Sequence, residues 1–449
     1  MRLAILALLC AVPQESSDAE KIYRDLETRL AAAARIDVVY RRVCPDDSVY
    51  GNAAGGLLME SSEHAVTLFE RRLGGAIGWF GSRQGPARGR GNPRTFECCR
   101  KALLAAGMHE VINVRSGHRQ DFEKAGIWPT LTASDFKLTG DKGERILEFN
   151  VKCAVQTATT LVTHKGAARV WINPTTGWPS RRTLTEEDDG RVHTEIYYRF
   201  QVDAPPAADL PPDFARRVKG PSPAEVKKLL AKDARYKRIL DWILLPEHWN
   251  ESAREVEAAL GPIPRDAVVH VVLDDAEGGD CAKVTRDPRD RRVAVVTFNL
   301  KAIASHENRR SGRPPPAPDS LPNTNQYVPH ALVHILQRGR DVPAWFREGL
   351  PSWLAGDPYF VATFLDKAKS IEEIDVKPAV EEGEYGRGHL FMTWLERKAG
   401  HEVFPKLVKA VCEDGVGVPA AVSKLLGLEW DVVKKEELEW TRQRGVREK

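Results

Sequence analysis

The alternation of apolar and polar positions gives the chain two halves with different periods. Ser17-Asp18-Ala19-Glu20 has the form of a capping box, and behind it Ile22, Leu26, Leu30 and Ala33 recur at helical spacing. This predicts a helix ending near Arg35, where Ile36 to Val43 turns β-rich. Leu147, Phe149, Val151, Cys153 and Val155 alternate with Glu148, Asn150, Lys152 and Ala154, giving a strand one face to a core and one to water. Arg169 to Ile172 and Trp178 to Leu184 flank Asn173-Pro174-Thr175-Thr176-Gly177, a hairpin turn by composition. Val192, Thr194, Ile196, Tyr198, Phe200 and Val202 alternate again. A helix followed by successive antiparallel hairpins predicts a half-barrel, a curved sheet wrapped on the helix.

Proline then takes over. Pro205-Pro206, Pro211-Pro212 and Pro221 make an extended connector. Ser222-Pro223-Ala224-Glu225 opens the second half with another capping box, with proline at the favoured first helical position. Val268 to Leu273 and Val293 to Leu300 read as short buried strands, and the remainder is mostly helical with that small sheet. The expected class is α+β, with domains over residues 17–215 and 216–449 behind a leader of residues 1–16.

The 449 residues exceed one ordinary core, which agrees with two domains. A hydrophobic fraction of 42% beside 29% charged residues describes a globular protein rather than a disordered one. With 66 basic and 63 acidic residues, the net charge of +3 favours no partner by long-range field. The Gly- and Arg-rich stretch 71–94 offers only Trp79 and Phe80 for stacking, so it reads as a solvated loop and no nucleic-acid partner is expected. Arg2 followed by the apolar run Leu3 to Val12 is too short to span a bilayer and reads as a cleaved export signal, the alternative being a short buried element. No other stretch suits a transmembrane anchor. The expected location is periplasmic or extracellular. Cys44, Cys98, Cys99, Cys153, Cys281 and Cys412 lack a regular spacing and read as scattered buried thiols.

The candidate chemistry lies in the second half. His330 and His334 are four apart, so on a helix both imidazoles project from one face. Glu348 follows at a distance that allows a turn and a returning helix. Two imidazoles and one carboxylate leave a fourth tetrahedral position open, as a catalytic zinc site does. The same residues also suit a plainer arrangement, with histidines hydrogen-bonded to the core and Glu348 in a surface ion pair. Neither a Gly-x-Ser-x-Gly elbow nor a phosphate-binding glycine loop is present.

Two resemblances attach to these segments. Val170 to Pro179, with His193-Thr194-Glu195-Ile196-Tyr197-Tyr198-Arg199-Phe200, resembles the closing hairpins of the LolA-like lipoprotein-carrier fold, which implies an apolar hollow able to hold lipid or lipoprotein. His330-Ala331-Leu332-Val333-His334, with Trp345-Phe346-Arg347-Glu348-Gly349, resembles the gluzincin metallopeptidases of the peptidase-MA-like group, whose pattern is His-Glu-x-x-His and Trp-x-x-Glu-Gly. That resemblance implies zinc held by His330, His334 and Glu348. It also implies an oxyanion-stabilising role for Tyr385, whose plainer role is to cap a helix.

Two departures from the pattern matter. Ala331 stands where the glutamate that activates the zinc-bound water belongs, and a positioned general base contributes about 10²- to 10⁴-fold in rate. Pro351 follows Glu348 closely, and proline inside a helix kinks or shortens it. Glu381, Glu382 or Glu384 could stand in as base. The expectation is a metallopeptidase-like protein with impaired catalysis that binds peptide or a protein partner. The alternatives are a weakly active zinc peptidase and a lipid or lipoprotein carrier acting through the first domain.

Overall fold

A computed structural model describes residues 17–43, 53–72, 77–79, 93–108, 130–140, 145–156, 161–187, 190, 192–203, 214–277, 280–290, 292–311, 326–337, 339–355, 371 and 382–447. The expected leader, most of the Gly/Arg-rich segment, Cys44, the core of the proline connector and the proline-rich stretch 313–318 lie outside the described residues.

In chain order the elements begin with helix α1 (Asp18–Ala32), strands β1 (Arg35–Val43), β2 (Ala53–Glu60), β3 (Ala65–Arg72) and β4 (Ile77–Trp79), and helix α2 (Pro93–Ala105). Strands β5 (Thr130–Thr139), β6 (Arg145–Gln156), β7 (Leu161–Ile172), β8 (Pro179–Glu186) and β9 (Val192–Val202) follow. Next come β10 (Val218–Lys219), helices α3 (Pro223–Lys232), α4 (Tyr236–Ile243) and α5 (Pro246–Leu260), and strands β11 (Val268–Asp274), β12 (Ala282–Arg286) and β13 (Val293–Asn299). The chain ends in helices α6 (Leu300–Ser311), α7 (Tyr327–Leu336), α8 (Ala344–Ala355), α9 (Glu382–Ala399), α10 (Val403–Val408), α11 (Val418–Leu426) and α12 (Trp430–Arg447). The class is α+β, with an antiparallel sheet in order β4-β3-β2-β1-β9-β8-β7-β6-β5 that does not close and a helical C-terminal half. No helix among the described residues is long and apolar enough to cross a membrane.

One compact unit gathers described residues within 1–34, 61–65 and 90–195. Its strands β5 to β8 are consecutive antiparallel neighbours. Leu147, Phe149, Val151 and Cys153 are buried while Asn150 and Lys152 are exposed, as the alternation requires. The β7–β8 turn closes on Asn173, whose Oδ1 accepts from the N–H groups of Thr175 (2.9 Å) and Thr176 (3.1 Å), and Gly177 takes a φ of 69° that a side chain would resist. Helix α1 buries Ala19, Tyr23, Leu26 and Leu30. The expected stripe is thus shifted, with Ile22 half-buried and Tyr23 taking the core position, where its ring meets Phe136 at 4.9 Å and Phe149 at 5.1 Å. Each buried leucine of that face contributes about 1.5–3 kcal/mol.

The second unit gathers described residues within 35–60, 66–89 and 196–449. Its small sheet has four strands in order β10-β11-β13-β12, with β10, β11 and β13 parallel and β12 antiparallel. The expected strands at Val268 and Val293 form its centre, and β10 and β12 are additions. Helices α5, α7, α8, α9 and α10 share one apolar core through Trp249, Val256, Leu332, Trp345, Trp353, Phe391 and Phe404. Helix α3 opens on a complete capping box, with Ser222 Oγ accepting from Glu225 N (3.3 Å) and Glu225 Oε2 accepting from Ser222 N (2.7 Å).

Candidate functional site

The site is built from α7 and α8, both in the second unit. Helix α7 is apolar almost throughout, with Val328, Ala331, Leu332 and Ile335 at 0–1% exposure. His330, His334 and Gln337 interrupt that run at intervals that place them on one face. Helix α8 is buried along Trp345, Phe346, Leu350, Trp353 and Leu354, which holds Glu348 at 7% exposure. The close seat of α9 on α8 is a glycine crossing. A Cβ at Gly388 would fall 1.9 Å from the Trp345 carbonyl oxygen, and one at Gly349 would fall 2.4 Å from Gly388 Cα. Glycine is required at both points because backbone meets backbone.

These helices bring His330, His334 and Glu348 together. One donor atom from each lies within 4.8 Å of the others. The two Nε2 atoms are 3.1 Å apart, and Glu348 Oε2 stands 3.4 Å from His334 Nε2 and 4.0 Å from His330 Nε2. A tetrahedral ion with bonds of about 2.0–2.1 Å needs donors roughly 3.3 Å apart, and this set brackets that spacing. Two imidazole nitrogens and a carboxylate oxygen also suit zinc in kind, so the residues fit the group.

Electrostatics keep His330 and Glu348 in their ligating forms. Burial, and then the neighbouring His334, push the His330 imidazole down to about 3 against the pull of the Glu348 charge. Burial would by itself raise Glu348. The neighbouring histidines, His334 foremost, and the Arg347 hydrogen bond outweigh it and hold the carboxyl at about 2. Arg347 Nε donates to Glu348 Oε1 at 3.1 Å, which leaves Oε2 turned to the histidines.

Ala331 is fully buried in the apolar core and carries no group able to take a proton. Tyr385 lies in the first turn of α9, and Glu382 and Glu384 share that turn, but their side chains lie outside the described residues, as does Glu381. Pro351 neither shortens nor ends α8, which runs four residues past it to Ala355. Its missing N–H leaves the Arg347 carbonyl without the helical donor it would otherwise have. Gln337 Nε2 donates to that oxygen instead, at 3.0 Å, and lies 3.5 Å from the Phe346 oxygen. The amide's own Oε1 is 3.0 Å from His334 Nδ1. Gln337 was not among the residues singled out by spacing. Its signal was its position three after His334, on the face that carries both histidines.

No protein-family model matches the chain, and no curated protein matches it. Among solved structures, the chain is similar to the lipoprotein LppX of Mycobacterium tuberculosis, at 12% identity over 41% of this chain and 96% of that one. The TM-score is 0.17, a value that carries no argument about fold or activity.

Proposed function

We propose that the chain is an exported metal-binding protein of gluzincin type, in which His330, His334 and Glu348 hold zinc and efficient peptide hydrolysis has been lost. The observation that carries the reading is the convergence of the three donor atoms within 4.8 Å on two buried helices. Bound there, zinc would act as a Lewis acid with an open position for a carbonyl or carboxylate oxygen. The chain's own residues orient the donors and exclude water beneath them. In the position of the glutamate that would move the proton stands Ala331, whose methyl cannot. Such a centre suits binding of a peptide or a protein partner better than turnover. Export rests on the sequence of the leader, and an oxyanion role for Tyr385 on its place in α9.

The test is the zinc content of the purified chain beside His334→Ala, by mass spectrometry of the metal. About one zinc per chain, lost in the variant, is expected. Equal and negligible content in both would sink the metal reading. Peptide cleavage by the native chain, abolished in His334→Ala, would replace the binding reading with that of a weak peptidase.

The second reading is carriage of lipid or lipoprotein by the N-terminal part, favoured by the antiparallel sheet that does not close. Tyr23, Phe136 and Phe149 pack against one another there at ring distances of 4.9–5.8 Å, so an acyl chain would have to displace them. Uptake of a fluorescent fatty acid, weakened by Phe149→Trp, is the expected sign of carriage. No uptake and no co-purified lipid would remove it.

A further inference from the structure

The orientation of the Gln337 side chain is fixed by the atoms around it. Gln337 is 3% exposed at the C-terminal end of α7. One side of its amide faces main-chain oxygens of α8, Arg347 O at 3.0 Å and Phe346 O at 3.5 Å. A carbonyl oxygen can only accept, so the amide nitrogen belongs on that side and Oε1 on the other. Oε1 stands 3.0 Å from His334 Nδ1 and can likewise only accept, so Nδ1 carries the proton. In the neutral ring Nε2 is then bare, 3.1 Å from His330 Nε2 and 3.4 Å from Glu348 Oε2.

The Arg347 oxygen is open to Gln337 because of a proline. In an uninterrupted helix it would accept from the N–H four residues on, which is Pro351. Proline has none, and its ring crowds the carbonyl four residues back. A residue that in sequence threatens the helix bearing Glu348 therefore leaves the acceptor to which the histidine helix is tied.

We infer that Gln337 is a positioning residue, anchored on the carbonyl that Pro351 leaves open, which fixes His334 as the Nδ1–H tautomer with Nε2 bare for the metal. Its purpose rests on the zinc reading proposed above, whereas the tautomer follows from the hydrogen bonds alone. Outer partners of ligating histidines act in this way, and their loss weakens metal binding about 10- to 100-fold.

The experiment uses the full chain labelled with ¹⁵N-histidine and freed of metal, with His334 assigned by comparison with His334→Ala. Tautomers are read from long-range ¹H–¹⁵N spectra, and zinc affinity from competition with a chromogenic chelator. The wild type is expected to show Nδ1–H at His334. Gln337→Met, similar in volume, is expected to give mixed tautomers and about 10- to 100-fold weaker zinc binding. Gln337→Glu still accepts from Nδ1–H and keeps the tautomer. Pro351→Ala returns a helical donor to the Arg347 oxygen, shifts both readouts the same way by less, and adds little to Gln337→Met. Nε2–H at His334 in the wild type, or the wild-type tautomer in both Gln337→Met and Pro351→Ala, overturns the inference. Should Gln337→Met fail to fold, Pro351→Ala alone decides. A wild type that takes no zinc defeats the metal reading, and the tautomer still decides for Gln337.

Discussion

The two units bury polar side chains for different ends. In the first, Arg182 is 2% exposed and its guanidinium lies against the end of α2, with Nη1 donating to the Leu104 oxygen at 2.7 Å and Nη2 to that of Ala105. Glu195, 3% exposed, accepts from Met108 N at 3.1 Å. Both side chains complete a helix terminus whose last carbonyls and following N–H lack partners of their own. In the second unit, Glu348 is buried and His330 and His334 are half-buried, yet their donor atoms face one another. Backbone partners leave Arg182 and Glu195 little to offer a ligand. The triad presents lone pairs that a cation would satisfy better than they satisfy each other. Burial alone does not mark a site; what the buried atoms point at does.

The contrast can be broken first at a fully buried ion pair of the second unit that is not part of the triad. Arg387 pairs through both Nη atoms with both oxygens of Glu437, and each side chain is 0% exposed. Arg387→Met leaves a buried carboxylate without its countercharge, held by the Thr441 hydroxyl at 2.8 Å, and is expected to cost about 3–5 kcal/mol in denaturant unfolding. Arg387→Met with Glu437→Leu should recover most of that, since the pair's Coulomb gain largely offsets its desolvation. A double variant as unstable as the single would mean that the pair does more than satisfy itself. In the first unit, Arg182→Leu strands two buried carbonyl oxygens at about 1–3 kcal/mol each, with zinc content unchanged.

The triad should behave in the opposite sense, gaining stability from something added. At free zinc one hundred times its dissociation constant, the chain should gain about 2.7 kcal/mol in unfolding free energy, and His334→Ala should gain none. Zinc stabilising both proteins equally would move the metal away from these residues.

What the sequence made legible follows the range of the interaction. The alternation of β6, the Asn173–Gly177 turn and the spacing of His330, His334 and Glu348 depend on neighbours in the chain, and all can be read from it. The stripe of α1 could not be placed, because Ile22 and Tyr23 both fit a helical period and the rings of Phe136 and Phe149 decide between them. Strand β9 promised one wet face, yet Glu195 and Tyr197 are buried as well, Glu195 because Met108 N needs an acceptor. Strand β10 is two residues long, too short for any period, and β12 is polar in composition. Gln337 and Pro351 were visible singly. Their relation is a contact between two helices, which no local pattern encodes.

The smallest expected effect compares the two units by the one device they share in sequence. Ser17 and Ser222 both open a helix, and both have glutamate three residues on. At α3 the box is reciprocal, with Glu225 Oε2 accepting from both the N–H and the hydroxyl of Ser222 at 2.7 Å. These bonds hold the Glu225 carboxyl below its usual range. At α1, Ser17 Oγ accepts from Glu20 N at 3.2 Å, while the Glu20 carboxylate lies 3.6 Å from Arg24. Replacing a capping serine by alanine costs about 0.5–2 kcal/mol. Ser222→Ala is expected near the upper end of that range, because it removes the hydroxyl from both Glu225 N and the Glu225 carboxylate. Ser17→Ala is expected near the lower end, since it gives up a single longer bond. Paired unfolding curves would show it, and equal losses would mean that the carboxylate half of the box contributes nothing measurable at either helix.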